Sequence, residues 1–238
     1  GLSSFMDWGW VGYYPPYPGV LLLFWLAVLG TLALWWHRAV RWKWASLALS
    51  LLLIWQLMAA WETIADSKLR LTVFDVGQGD AALIRTPNGS TLLVDTGPWQ
   101  ENYSPASAVL LPYLQHNNIR KLDGILLSHP HTDHIGGVGP LMENIGVDTI
   151  YTSGLPVQSN IYQDYRRAAH ERSIPVKRLS QGNRIHMDPS VSMRILSPLG
   201  AYEGMDENSA SLVLLVSYGD TNVMFTGDIE AETERELV

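Results

Sequence analysis

The segment SHPHTDHIGG (residues 128–137) holds three of the chain's seven histidines and follows directly on the apolar run at 124–127. Side chains two residues apart in extended backbone point the same way, so His129 and His131 can converge on one ion. Asp133 and His134 come past the turn and can face a second point close by. The two glycines that end the segment supply permissive backbone where the chain must bend into a helix. The pattern therefore predicts a metal site in a loop after a buried strand.

The chain has no cysteine, so a metal ion would have to be held by His, Asp, Glu or Asn side chains. Such nitrogen and oxygen ligands suit Zn²⁺ or a harder ion such as Mn²⁺. The alternative is a loop of solvent-exposed histidines or a proton-sensing cluster. A metal site is favoured because the segment follows a buried strand and precedes a Gly-Gly turn.

The chain after Lys68 has the composition of a soluble domain, with a strand-rich opening and helices inserted later. Apolar and β-branched runs between turn signals predict the strands, and Ser104-Pro105 predicts the start of a helix. Strands are predicted at 69–76, 80–86, 91–95, 122–128, 147–152, 176–179, 184–187, 191–197, 211–218 and 222–227. Helices are predicted at about 104–116, 136–144 and 161–173, and from about 230. This order indicates an α+β or layered α/β fold.

Two uncharged apolar segments precede this domain, at 20–36 and 44–61, and each ends in tryptophan. Each is close to the length that crosses a bilayer as a helix, and tryptophan is common at membrane interfaces. A buried helical hairpin and a cleaved signal peptide are the alternatives, but two apolar runs separated by a cationic turn fit a bilayer better. We therefore predict a membrane segment at 1–66 with two transmembrane helices, and a separate domain at 67–238.

The loop between the two apolar segments, HRAVRWK at 37–43, is rich in Arg and Lys. Short loops of this kind lie on the cytoplasmic side of membrane proteins, so the second helix would run outward. The sequence thus predicts a multi-pass protein of the inner (cytoplasmic) membrane whose following domain is extracytoplasmic.

The formal net charge of −7 argues against a large electrostatic surface for nucleic acid. One basic cluster is the exception, made of Arg166, Arg167, Arg172, Lys177, Arg178 and Arg184. It is either a solvated surface or a patch that follows phosphates, and the sequence leaves both interpretations open.

HPHTDH at 129–134 resembles the HxHxDH motif of the metallo-β-lactamase superfamily. TLLVDTG, which contains Asp95, and FTGD, which ends in Asp228, resemble the earlier and later aspartate motifs of that superfamily. Behind the hydrophobic helix pair, the stretches 73–84, 127–137 and 207–229 resemble the C-terminal region of the ComEC/Rec2 family of DNA-internalisation membrane proteins. The resemblance implies an α/β fold of four αββα layers, truncated at its C-terminus, behind a transmembrane hairpin.

The same resemblance implies a role for each residue of these motifs. Two divalent metal ions (Zn or Mn) would be held by His129 and His131 at the first ion, Asp133 and His134 at the second, and Asp228 as the bridge. Asp133 and Asp228 would also orient the hydroxide and carry its proton, which makes them the catalytic residues. Asp95 would fix the loop by hydrogen bonds, unless it is an ordinary strand-end aspartate. Turn formation and a place lining the site are equally open for Asp75, Gln78 and Asp80.

Two departures from the superfamily pattern stand out. Many members have another histidine ligand before the bridging aspartate, but here His170 and His186 fall in a predicted helix and strand. The residues available at that position are Asn208 and Ser209. The histidine expected after the bridging aspartate is absent because the sequence stops within a predicted helix. We therefore expect this chain to be an excerpt of a longer protein, with an incomplete site.

The resemblance implies that the domain hydrolyses phosphodiesters in one strand of incoming DNA, as part of a membrane channel for natural transformation. Two cations about 3.5–4 Å apart can activate a hydroxide and stabilise charge on the attacking and leaving oxygens. DNA, the membrane and other competence proteins would be the partners. Two alternatives remain open: a metallo-hydrolase of small esters, thioesters or lactams, and a non-catalytic vestibule of a DNA channel.

Overall fold

The computed structural model describes residues 25–26, 28–30, 48–57, 68–100, 104–199 and 206–237. The chain divides into two compact units, Gly1–Asp66 and Ser67–Val238. The metal motif lies in the second unit, and so do all the strands among the described residues.

In the first unit, residues 25–26, 28–30 and 48–57 are helical. Among the described residues, the helices are too short or too polar to cross a membrane. Most of the predicted span at 20–36, the two ends of the predicted span at 44–61 and the whole loop at 37–43 lie outside the described residues. The transmembrane hairpin and its orientation therefore stay predictions.

The second unit contains a six-stranded sheet that begins antiparallel and continues parallel. The antiparallel part consists of β1 (Arg70–Val73), β2 (Ala82–Arg85) and β3 (Thr91–Val94). A separate parallel pair consists of β4 (Lys121–Leu122) and β6 (Gly146–Val147), while the parallel part of the large sheet adds β5 (Gly124–Leu126), β7 (Ile150–Thr152) and β8 (Val176–Arg178). The order in the large sheet is β1-β2-β3-β5-β7-β8.

Parallel strands need long crossover connections, and helices supply them here. After the π-helical segment Ala106–Leu110, the helices are α1 (Leu111–His116), α2 (Thr132–Ile135), α3 (Val138–Asn144), α4 (Asn160–Glu171) and α5 (Ala231–Leu237). Ser159 caps α4, because its hydroxyl accepts a hydrogen bond from the N–H of Tyr162 at 3.1 Å.

The second sheet is antiparallel, in the order β12-β11-β10-β9 from one edge to the other. Its strands are β9 (Arg184–Ile185), β10 (Val191–Ser197), β11 (Val213–Tyr218) and β12 (Thr221–Phe225). Along β10, Val191, Met193 and Ile195 are buried and the residues between them are not. This period of two indicates that one face of the sheet covers the core.

Side-chain alternation along the central strands divides the core into two halves. Leu93 and Ile125 belong to the cluster that includes the helix residues Leu110 and Leu141. The neighbours of those strand residues, Leu92, Val94 and Leu126, belong instead to a cluster with Met193, Ile195 and Leu214 of the second sheet. The large sheet therefore packs against helices on one face and against the second sheet on the other.

The helix predicted at 136–144 is present as α3, and a short helix that was not predicted, α2, precedes it because the chain becomes helical directly after His131. His131 itself has extended backbone (φ −69°, ψ 148°). Gly136 and Gly137 join the two helices where the backbone meets the loop after β3. A Cβ at Gly136 would overlap the backbone nitrogen of Trp99, and one at Gly137 would overlap the carbonyl oxygen of Thr96. These glycines permit close packing more than they permit a bend.

Candidate metal centre

The segment 128–137, called the metal loop below, follows the carboxyl end of β5 and continues directly into α2. Thr96, which follows β3, holds it down: its N–H and its hydroxyl both donate to the carbonyl oxygen of His134, at 2.8 and 2.9 Å. The N–H of Gly137 donates to the same hydroxyl oxygen of Thr96 at 3.0 Å. As a result, His129 and His134 are each only 1 % exposed.

Asp95 lies beneath the loop and is itself buried. Its carboxylate accepts from the N–H of Ser128 at 2.7 Å and from the hydroxyl of Ser128 at 2.6 Å. Nδ1 of His134 donates to the carboxylate at 2.9 Å. Burial raises the pKa of Asp95, and the bonds from His134 and Ser128 act in the opposite direction. Asp95 thus makes the hydrogen bonds expected of a residue that fixes the loop.

In His129, Nε2 is the inner nitrogen, which lies toward Asp228, and Nδ1 is the outer nitrogen. Nδ1 is also held by an oxygen, because it lies 3.0 Å from the hydroxyl of Ser128. The hydroxyl proton of Ser128 goes to Asp95, so the hydroxyl oxygen accepts from His129. Burial, followed by the charges of His134 and His131, lowers the pKa of His129 to about 3. At neutral pH, His129 therefore turns an Nε2 lone pair inward.

The electrostatics of His134 differ from those of His129, although both rings are buried. Burial by itself lowers the pKa of His134, but the hydrogen bond and charge of Asp95, with the charges of Asp228 and Asp133, raise it to about 9. His134 therefore holds a proton at neutral pH that a cation on the ring would displace.

The inner nitrogens of the histidines converge with the carboxylate of Asp228. Nε2 of His129 lies 3.9 Å from Oδ2 of Asp228, and Nε2 of His134 lies 3.5 Å from Oδ1. Two ligand atoms of a tetrahedral zinc ion are separated by about 3.4 Å when each bond is about 2.1 Å. The spacing fits atoms that share a cation better than it fits hydrogen bonds, which are shorter than about 3.2 Å.

Asp228 therefore directs one oxygen toward each of the two buried histidines. The ligand atoms of His129, His134 and Asp228 all lie within 4.8 Å of one another. Imidazole nitrogens and carboxylate oxygens are the donors that Zn²⁺ and Mn²⁺ accept. The residues present thus fit a divalent metal centre.

The other two predicted ligands lie at the edge of this group and are half-buried. Nδ1 of His131 is 2.9 Å from Nε2 of His129, so His131 also faces the centre. Asp133 lies in the first turn of α2, and its charge acts on His134. Among the described residues, the tight groups of ligand atoms include neither His131 nor Asp133, and the roles of both as ligands stay predictions.

Comparison with known proteins identifies the family. Residues 74–238 match the family model described as the metallo-beta-lactamase superfamily. The chain belongs to this superfamily. The two sheets with helices on the outer face of the larger one, and the loop at the carboxyl ends of β3 and β5, are therefore those of a metallo-beta-lactamase domain.

Three curated relatives identify a narrower group within this superfamily to which the chain is similar. ComE operon protein 3 of Bacillus subtilis is 29 % identical over 73 % of this chain, Recombination protein 2 of Haemophilus influenzae is 34 % identical over 70 %, and Competence protein ComA of Neisseria gonorrhoeae is 30 % identical over 74 %. These matches confirm the resemblance to the ComEC/Rec2 family. The chain spans 24 %, 19 % and 22 % of the length of these relatives, respectively.

The histidine that many metallo-beta-lactamase superfamily members place before the bridging aspartate has two possible replacements here. Ser209 is occupied, because its hydroxyl and its N–H both donate to the carboxylate of Asp206, at 2.7 and 2.9 Å. Oδ1 of Asn208 is buried and lacks a hydrogen-bond partner in the part of the chain that the structure describes. Of these two residues, Asn208 is therefore the one whose side-chain oxygen is not already used in a hydrogen bond within the described part of the chain. His170 on α4 and His186 after β9 are both exposed.

The turn DVGQGD, residues 75–80, packs directly on the metal loop. Gly79 has a φ of 87°, and a Cβ there would overlap the carbonyl oxygen of Asp133. This close approach brings a carboxylate oxygen of Asp80 within 4.8 Å of ligand atoms of Asp95 and His134. Asp75 is a turn residue, because it accepts the N–H of Gly77 at 3.2 Å and is exposed. In the sequence, the two glycines that flank Gln78 were the feature that could have indicated this close contact.

Glu207 is a residue of the site that the sequence did not indicate. Its Oε2 lies 3.0 Å from Nε2 of His131. The six residues of the basic cluster lie on α4, after it, and on β8 and β9, and all are exposed. Arg167 of that cluster pairs with Asp164 at 2.7 Å. This exposure agrees with both interpretations of the cluster.

Proposed function

We propose that the domain holds two divalent cations and hydrolyses phosphodiester bonds in DNA that a membrane protein takes up during natural transformation. The observation that carries the metal site is the convergence of imidazole nitrogens from His129 and His134 on the carboxylate of Asp228, with Nδ1 of His131 2.9 Å from Nε2 of His129. The two buried rings, of His129 and His134, are fixed from behind by Ser128 and Asp95, so their inner nitrogens keep this direction.

In this proposal, His129 and His131 hold one cation, Asp133 and His134 hold the other, and Asp228 reaches both. Such a pair supplies Lewis-acid chemistry, which makes water a better nucleophile near neutral pH and offsets charge on the oxygens of the phosphodiester. Zn²⁺ and Mn²⁺ both fit the donor set, and an additional oxygen from Asn208 would favour the harder ion.

Asp133 and Asp228 are proposed as the catalytic residues, which orient the attacking water and take its proton. The side chain of Asp228 is 47 % exposed, so solvent and substrate can reach it. His129 and His134 are buried beneath it, and water is thereby excluded from the back of the site. The open side of the centre is the side of the two carboxylates, where a phosphodiester would approach.

DNA as the substrate is supported by the names of two relatives, Competence protein ComA and Recombination protein 2. The net charge of −7 works against a polyanion. Bound cations and the exposed basic cluster would offset that repulsion locally. A place in the inner (cytoplasmic) membrane, with the domain outside and other competence proteins as partners, is part of the same proposal and follows from the two apolar segments.

A cleavage assay tests the proposal. The 238-residue chain, purified in detergent, is supplied with Mn²⁺ or Zn²⁺ and given single-stranded DNA and, separately, a simple carboxylic ester. We expect DNA cleavage that is lost in His131→Ala and retained in His116→Ala, a matched change at an exposed histidine on α1. Ester turnover without DNA cleavage would indicate a small-molecule hydrolase, and DNA binding without any turnover would indicate a channel vestibule. Either result overturns the nuclease.

A further inference from the structure

The segment before β11 brings a carboxylate against the outer face of His131. Oε2 of Glu207 lies 3.0 Å from Nε2 of His131, and both side chains are about two-fifths exposed, at 41 % and 40 %. Nothing in the sequence connects the two residues, because the loop and this segment belong to different parts of the fold.

Hydrogen bonds on both sides hold the backbone around Glu207. The carboxylate of Asp206 accepts two bonds from Ser209, and its carbonyl oxygen accepts from the N–H of Ala210 at 3.1 Å. Farther on, the N–H of Leu212 donates to the carbonyl oxygen of Ser128 at 2.8 Å. The last bond joins the segment to the start of the metal loop itself. These bonds hold the backbone of the segment beside the metal loop, and they keep Glu207 within reach of His131.

The contact has a definite consequence for the protons of His131. An ionised carboxylate accepts hydrogen bonds and donates none, so Nε2 of His131 must carry the proton. In the neutral ring, Nδ1 is then left with a lone pair, and Nδ1 is the nitrogen that lies 2.9 Å from Nε2 of His129. Nε2 of His129 also turns a lone pair inward, since Nδ1 of that ring donates to Ser128. Two lone pairs at this distance repel each other unless a cation or a proton lies between them.

We propose that Glu207 is a positioning residue, which keeps His131 in the tautomer whose Nδ1 lone pair faces the metal centre. His134 and His129 are oriented in the same way, by Asp95 and Ser128 respectively. Each of the three histidines of the loop then has an oxygen on its outer nitrogen, as ligating histidines generally do. The importance of Glu207 for metal binding rests on the proposed function, whereas its effect on the tautomer does not.

The tautomer is read directly by long-range ¹H–¹⁵N correlation NMR on the metal-free, histidine-labelled 238-residue chain in detergent micelles. We expect His131 to be protonated at Nε2 in the wild type. In Glu207→Ala, a large fraction of the neutral ring should carry the proton on Nδ1, where it can donate to His129. Glu207→Gln should retain most of the original tautomer, because the amide oxygen still accepts from Nε2. The same tautomer in Glu207→Ala as in the wild type overturns the inference.

Zinc titration by calorimetry supplies the second measurement. Glu207→Ala should weaken Zn²⁺ binding by about tenfold, the lower end of the range for residues that orient metal ligands, because the contact is partly exposed. Glu143→Ala removes the same charge from an exposed position on α3 and should leave the affinity unchanged. Equal affinity for Glu207→Ala and wild type would contradict the positioning role. If the wild type binds no metal, the proposed function fails, and the tautomer measurement still decides the inference.

Discussion

The two sheets contribute to the candidate metal centre in different ways. The loops after β3 and β5 provide Asp95, Ser128 and His134, which are buried and joined by hydrogen bonds of 2.6 to 2.9 Å. The second sheet and its flanking segment provide Glu207 and Asp228, whose side chains are 41 % and 47 % exposed. The residues of the first half are held by hydrogen bonds within the fold, whereas the carboxylate of Asp228 is open to solvent on one side.

The backbone of the second half is nevertheless well placed. Gly227 has a φ of 56°, and a Cβ there would lie 2.9 Å from Cβ of Ser128. The chain therefore passes tightly over the metal loop just before Asp228, whereas the side chain of Asp228 itself is 47 % exposed.

The largest effect should come from removing the anchor of the buried half. Asp95→Ala leaves His134 buried without its charged partner, and we expect the free energy of unfolding to fall by about 3 kcal/mol. Urea denaturation monitored by tryptophan fluorescence measures this loss. Asp220→Ala, in the exposed turn between β11 and β12, should change stability by less than about 0.5 kcal/mol. Similar values for the two variants would show that the first half is not organised by folding.

A somewhat smaller effect is expected where the metal loop packs on the loop after β3. The methyl group of Gly136→Ala would overlap backbone atoms of Trp99 and Pro98, which cannot rotate away. We expect a cost of about 1–3 kcal/mol in the same denaturation measurement. Gly139→Ala is the matched control, because nothing lies within 4 Å of a Cβ there, in helix α3. Alanine is the better helix former, so this control should be neutral or stabilising by up to about 1 kcal/mol. Equal stability of the two variants would contradict the tight packing of the metal loop on the loop after β3.

A substitution in the second, exposed half of the site should weaken metal binding without changing the stability of the fold. Asp228→Asn removes a charged ligand from a position that is open to solvent, and the unfolding free energy should change by less than about 0.5 kcal/mol. Zinc affinity measured by calorimetry should fall by at least about tenfold, since even residues behind metal ligands contribute that much. Glu230→Gln, two residues farther on and exposed, should bind as the wild type does. A stability loss in Asp228→Asn as large as in Asp95→Ala would abolish the distinction between the halves.

The last effect concerns protons and sharpens the comparison within the buried half. The pKa of His134 is raised to about 9, so a cation that binds its Nε2 at neutral pH must release that proton. His129 has a pKa lowered to about 3 and has no proton to release at Nε2. Affinity should therefore increase from pH 7 to pH 9, by less than about tenfold per pH unit.

Calorimetry in buffers of different ionisation enthalpy measures the released protons, and we expect about one from His134. A binding heat that does not depend on the buffer would mean that Asp95 leaves His134 neutral.

The three histidines of the metal loop could be predicted as one group from the sequence, because they are neighbours along the chain. His129, His131 and His134 come from one loop after one apolar strand, and local backbone geometry is enough to bring them together. Asp95 and Asp228 were added through the resemblance of their motifs. Asp80 remained undecided, since turn formation explains an aspartate after Gly-Gln-Gly equally well. Glu207 was missed because it contacts the loop only after the second sheet has packed on the first.

The sequence by itself determined the kind of ligand to expect: with no cysteine, thiolate ligands are excluded whatever the fold, and the dense group of histidines and aspartates favours nitrogen and oxygen ligands. It also determined the two-residue alternation that makes each sheet bury one face. The tertiary structure alone decided which nitrogen of each ring faces inward, because that depends on whether Ser128, Asp95 or Glu207 reaches the other nitrogen. Hydrogen bonds act over about 3 Å, and such contacts between distant segments exist only once the two sheets are packed together.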